Sequence, residues 1–231
     1  MRALVFVALL LAVLALTPER ERTALAQNGL GAVTGKVTLT ARKGVPLATS
    51  AYGRRDVGPR ATDAGSDTTH VIVFLAGVKQ SSSPAPTRVR IAQRNEQFVP
   101  SVAAVTTGST IDFPNEEPYF HNVFSLSRAA TFDLGRYRSG QSKARILPTP
   151  GIVKVFCHLH AQMSAAIMVL DHPWFAIPDS DGTFSIRGIP AGRHTIVAWH
   201  ERIGERRDPV TITPGGTAQV SFTLPVLEPQ K

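Results

Sequence analysis

The chain holds a single cysteine, Cys157, with His160 three residues on and Met163 six residues on. A thiolate, an imidazole and a thioether on one short loop are donors that suit copper cycling between Cu(I) and Cu(II). One Cys and two His in a trigonal set, with a weak axial Met, make a blue-copper electron-transfer centre. The loop supplies three of those four groups, and His121 is the candidate for the fourth. The competing reading is a buried structural cysteine with incidental polar neighbours, because free Cys often behaves as a small core residue. The spacing, the solitary cysteine and the flanking apolar runs favour ligation.

Positioning such a site requires rigid elements on either side. Gly151 to Val155 reads as a β-strand before the loop, and Ala165 to Leu170 as another after it. Alternate residues of a strand share a face, so Val153, Val155 and Cys157 are expected to point the same way. His121 lies in a separate expected strand, Tyr119 to Phe124, and must arrive from across a β-sandwich. Further strands are expected at Gly31–Thr40, His70–Leu75, Arg88–Ala92, Ser101–Thr106, Ser109–Phe113 and Lys143–Leu147. Trp174–Ile177, Thr183–Ile186 and His194–Trp199 follow, then a hairpin of Pro209–Ile212 with Ala218–Leu224 across Pro214-Gly215-Gly216. Plentiful Gly, Pro and β-branched residues, with no sustained 3.6-residue period, make the expected class all-β. The polar stretch 41–69 reads as a long exposed loop, and Ser81 to Pro86 as a linker stiffened by two prolines.

Composition bounds the compartment and the partners. Met1-Arg2, the apolar run Ala3 to Leu16 and Ala24-Leu25-Ala26 form a secretory-signal pattern over residues 1–26, so the mature chain is expected to begin at Gln27. The apolar run is shorter than the roughly 18 residues of a membrane span. A periplasmic or secreted protein, not integral to the membrane once the signal is cleaved, is the expectation. One cysteine cannot form an internal disulfide, and metal ligation protects an exported thiol from oxidation. The formal charge is +8, which suits an acidic protein partner. Nucleic acid is not expected as a partner, since no nucleic-acid motif is visible.

Residues 81–171 resemble a cupredoxin of the plastocyanin and amicyanin type. The resemblance is carried by Gln97-Phe98-Val99-Pro100, Gly108 to Asn115, Phe120-His121-Asn122-Val123-Phe124 and the loop from Cys157 to Met163. It implies one copper ion held by His121, Cys157, His160 and Met163, with Asn122 bracing the Cys157 loop by hydrogen bonds. It also implies an exposed His160 edge, ringed by apolar residues, as the electron port. Ala161 departs from the pattern, since proline is common there in short-loop relatives. Phe156 precedes Cys157, and no further H-x-H run exists to build the trinuclear cluster of a multicopper oxidase. A binuclear copper site would need a second cysteine. His158 is expected at the surface or beside the ligands; Glu116 and Glu117 could approach the metal, as in a red-copper variant, but are expected as exposed loop carboxylates.

The flanking residues 27–80 and 172–231 resemble a carboxypeptidase-regulatory-like, or transthyretin-like, β-sandwich. Asp179 to Ile186 and Ile189 to His200 carry that likeness. The cupredoxin-like unit is either inserted into this sandwich or joined to it in tandem, and insertion is favoured. His194 and His200 are read as structural, with no catalytic constellation around them. The leading expectation is therefore an electron carrier and not an enzyme, serving redox proteins such as a cytochrome or a dehydrogenase with an acidic docking patch. The alternatives are copper storage or delivery, and an accessory role in amine oxidation.

Overall fold

The computed structural model describes residues 29–41, 68–78, 80 and 84–226. The expected signal segment and most of the expected 41–69 loop lie outside the described residues. Those described are strands and turns, apart from one 3-10 turn at Thr68–His70. Among them, no helix is long and apolar enough to cross a membrane.

The site-bearing sandwich is built from ten strands. One sheet places β10 (Ser142–Leu147), β7 (Ser109–Pro114) and β3 (Arg88–Arg90) side by side. The facing sheet runs β6 (Val102–Thr106), β12 (Ser164–Leu170), β11 (Gly151–Phe156), β8 (His121–Ser127) and β9 (Ala130–Tyr137). A small hairpin, β4 (Ala92–Arg94) with β5 (Gln97–Val99), is paired as its own ladder and bridged beyond the end of β7 through Gln93 and Asn115. Sequence alternation explains the packing. In β7, Ile111 and Phe113 turn inward while Thr110 and Asp112 face outward. In β11, Val153 and Val155 are fully buried, and Cys157 continues the same inward face. These side chains meet Phe98, Val123, Tyr137 and Leu147 in one core.

The second sandwich joins strands from both ends of the described chain. One sheet places β1 (Leu30–Ala41) between β14 (Thr183–Pro190) and β17 (Thr217–Val226). The other runs β13 (Phe175–Ala176), β2 (Val71–Ala76), β15 (Gly192–His200) and β16 (Gly204–Ile212). Val33, Val37, Val73, Leu75, Phe184, Ile196 and Phe222 form its core. A Cβ on Gly35 would collide with the carbonyl of Val220 and the ring of Phe184, so close packing of β1 requires glycine there.

The two sandwiches meet on β12, whose residues after Ser164 are all buried. Ala165, Ile167 and Val169 face the site-bearing core. Ala166, Met168 and Leu170 face the other way, against Ile72 and Trp199 of the second sandwich. Lys154 and Glu201 add an ion pair at 3.2 Å across this joint.

The structure corrects three expectations of local structure. Pro209–Ile212 and Ala218–Leu224 do not form a hairpin: β16 pairs with β15, whereas β17 pairs in parallel with β1 in the opposite sheet. The Pro214-Gly215-Gly216 turn therefore crosses between layers. A further strand, β9, occupies a stretch where no strand was expected, because Gly135 at φ 65° interrupts the strand pattern without ending it. The strand expected to begin at Tyr119 begins at His121, since Asn115 holds the preceding residues as a loop.

Candidate metal centre

The first residue of β8, His121, is fully buried and projects its Nδ1 toward the loop after β11. That loop is closed by two backbone bonds: Cys157 N–H donates to Met163 O at 3.3 Å, and Met163 N–H to His160 O at 3.0 Å. The closure returns His160 toward Cys157. His121 Nδ1 and His160 Nδ1 lie 3.1 Å apart, and Cys157 Sγ is 3.7 Å from the first and 3.9 Å from the second. A metal bonded to nitrogen at about 2.0 Å and to sulfur at about 2.3 Å, at angles of roughly 100–120°, separates its donors by about 3.1–3.7 Å. Two of the three separations fall in that range and the third, at 3.9 Å, exceeds it by only a small widening of one angle, so the donor set fits one ion. Among the described residues, these three form the one cluster of His, Cys and acidic groups with such spacing.

Met163 is 1% exposed and packs in the same core as Cys157. The four residues singled out from sequence thus occupy one end of one sandwich. Asn122 is also buried, and its Oδ1 accepts the backbone N–H of His158 at 2.7 Å. This bond ties β8 to the residue next to Cys157, so the strand carrying His121 also braces the cysteine loop. The ring of His158 points away from the cluster. It stacks on Phe124 with centroids 3.7 Å apart, and its Nε2 is 3.8 Å from Asp133.

The loop before His121 is pinned by Asn115, whose side chain donates to Tyr119 O at 2.7 Å and accepts Glu117 N–H at 2.9 Å. Glu116 matches its expected surface role and pairs with Arg90 and Arg94. Glu117 does not. It is 5% exposed, with Oε2 only 2.8 Å from His121 Nε2. That contact is short enough for an ion pair but lies off the line of a directed ring N–H bond. Tyr119 Oη donates to Glu117 at 2.8 Å, and the Glu96 amide approaches both carboxylate oxygens at 3.1 Å. A sequence signal existed in the four-residue spacing of Glu117 and His121, but nothing in the polar run around it indicated burial.

Electrostatics follow from this packing. Burial works to raise the Glu117 carboxyl, but the Tyr119 hydroxyl, the Glu96 amide and the His121 ring together hold it below its ordinary value. Burial pushes His121 down, and Glu117 only partly opposes that shift. Its hydrogen bond to Glu117 raises the Tyr119 phenol to about 12. The imidazole of His121 is accordingly neutral near pH 7, the form in which a ring nitrogen can bind a metal.

Solvent reaches the cluster from one side. His160 is partly exposed while His121 and Cys157 are buried. The Tyr119 ring lies 5.3 Å from His121 and 5.6 Å from His160. Phe120 and Leu159, chain neighbours of the two histidines, are 55% and 38% exposed.

No protein-family model matches this chain, and no curated protein does. Several solved structures overlap with part of it. A Cu-containing nitrite reductase from Thermus scotoductus SA-01 is 20% identical over 43% of this chain, with a TM-score of 0.35. This chain spans 26% of that protein's length. A purple cupredoxin from Nitrosopumilus maritimus is 16% identical over 36% of this chain and 99% of its own, with a TM-score of 0.33. A mutant amicyanin in the Cu(I) state is 15% identical over 42% of this chain and 98% of its own, with a TM-score of 0.34. Each likeness covers less than half of this chain, and the functional conclusion rests on the donor geometry.

Proposed function

We propose that this protein is an exported cupredoxin-type carrier that holds one copper ion and passes single electrons between redox proteins. The convergence of His121 Nδ1, Cys157 Sγ and His160 Nδ1 at separations one ion can bridge is the observation that carries this reading. Met163, buried beside Cys157, would complete the set as a weak axial donor. A thioether favours copper over zinc, whose structural sites are closed by four thiolate, imidazole or carboxylate ligands. Copper would supply the one-electron couple. The protein would supply a braced donor set that changes little between oxidation states, and a low-dielectric surround.

Electrons would pass through the exposed edge of His160, where Tyr119, Phe120 and Leu159 give an apolar contact surface. Residues 81–171 carry nine basic and six acidic side chains, a balance of +3. Arg88, Arg90 and Arg94 are paired with Asp112 and Glu116. Arg136 and Arg138, on and after the outer strand β9, are exposed. They suit an acidic patch on a cytochrome or dehydrogenase. The second sandwich would be a transthyretin-like unit into which the copper unit is inserted. Support comes from β1 and β2 sharing their sheets with β13 to β17.

Titration of the purified chain with Cu(II), followed by voltammetry, tests the carrier role. One equivalent bound, with a reversible one-electron wave and copper retained through cycling, is expected. Release of copper on reduction would replace electron transfer with metal delivery.

A further inference from the structure

We propose that Glu117 is a positioning residue for His121 that holds the copper potential down, its buried carboxylate facing Nε2 while Nδ1 faces the metal position. This inference rests on the copper reading above and names a residue that reading does not require.

The geometry is that of a built contact. His121 is fully buried, and its Nδ1 is committed to the cluster with Cys157 and His160. At the opposite edge of the ring, Nε2 has no directed hydrogen bond among the described residues, and the Glu117 carboxylate lies 2.8 Å away. A carboxylate is costly to bury unless its oxygens are satisfied. Here two donors converge on it. Tyr119 Oη comes from the same loop, and the Glu96 amide from the β4–β5 turn. That amide sits in the two-residue hairpin turn, where Asn95 and Glu96 both adopt φ 53°. Gln162 of the cysteine loop donates to the Glu96 side chain at 2.5 Å, so the turn clasps both the carboxylate and the ligand loop.

A carboxylate behind a ligating histidine fixes the tautomer and ring orientation and raises the basicity of the ligand. Its negative charge also stabilises the more positive metal state. Cu(II) gains one electron to become Cu(I), and Glu117 opposes that gain. Removing the charge while keeping the shape must raise the potential.

The test uses copper-loaded full-length protein with Glu117→Gln and Tyr119→Phe. Glutamine keeps one acceptor oxygen, Oε1, within reach of both the Tyr119 hydroxyl and the Glu96 amide, whereas Tyr119→Phe keeps the carboxylate charge. Glu117→Gln is expected to weaken Cu(II) binding by about 10–100-fold while leaving Cu(I) affinity nearly unchanged. At 59 mV per tenfold for one electron, that ratio corresponds to a rise of about 60–120 mV. Tyr119→Phe is expected to move the potential by less than a third as much. The thiolate-to-copper band should persist in both variants.

An unchanged potential in copper-bound Glu117→Gln overturns the proposal while the carrier reading stands. An equal shift in Tyr119→Phe overturns it too, since loop disruption would then explain both. Loss of the thiolate band in Glu117→Gln alone would mean that the carboxylate is needed to assemble the copper centre and not to tune it, which also refutes the proposal. If the unaltered chain takes up no copper, the carrier reading itself fails.

Discussion

Asn122→Ala tests whether β8 braces the cysteine loop. Asn122 is 2% exposed, and its Oδ1 accepts the His158 N–H at 2.7 Å. Its other contact, Nδ2 to Asp133 at 3.5 Å, is long and adds little. Truncation leaves a backbone donor without its partner at the foot of the loop, a loss of about 1–3 kcal/mol. A central value of about 2 kcal/mol lowers Tm by about 4–8 °C if both sandwiches melt together, and by about twice that if the site-bearing one melts alone. Calorimetry of the copper-free variant reads this term without any contribution from metal binding. Copper affinity should fall separately, by about 10–100-fold, because the loop that holds Cys157 and His160 loses its tie to the strand of His121. A copper-free Tm within 1 °C of the parent, together with unchanged affinity, would refute the bracing argument.

Three further outcomes follow from the same structure. Trp199→Ala removes an indole packed against Ile72, Met168 and Leu170 at the joint, so a loss of about 3–5 kcal/mol and a splitting of one melting transition into two are expected by calorimetry. Burial lowers His172 and His200 in the folded chain; His200 is further lowered by His70 and Arg202, while Asp171 partly opposes the shift at His172. The unfolded chain then binds more protons as pH drops below about 6.5, so stability is full above that value and falls beneath it. Urea midpoints of the copper-free chain should therefore be lower at pH 5 than at pH 8, and an equal or higher midpoint at pH 5 would contradict the burial argument. Electron transfer to an acidic partner should slow as salt is raised from 10 to 200 mM, on the order of the change expected when charges are screened, and a salt-independent rate would remove the basic surface of Arg136 and Arg138 from docking.

The ligand loop was legible because its information is local. The donors Cys157, His160 and Met163 lie within seven residues, and the alternating Val153, Val155 and Cys157 establish which way the cysteine points. His121 could be picked out because a second imidazole was needed and an apolar strand surrounded it. Glu117 was misread for the opposite reason. Its burial depends on Asn115, Tyr119 and a turn about twenty residues upstream, none of which marks the carboxylate in the linear pattern. The β16–β17 error has the same origin. Two strands flanking a Gly-rich turn look like a hairpin, but β16 is already paired with its immediate predecessor β15, and β17 pairs with β1, which lies far away in the chain. Strand β9 alternates only weakly because much of it is exposed, and Gly135 masks its continuity. Local chemistry was thus readable, whereas partner choice between distant strands was not.

The most direct measurement is the visible and electron paramagnetic resonance spectrum of the Cu(II)-loaded chain beside Cys157→Ser. An intense thiolate-to-copper band with narrow copper hyperfine splitting, absent from the variant, is the expected result. A pale spectrum with ordinary splitting, or one that survives the substitution, would contradict a copper centre built on Cys157, His121 and His160.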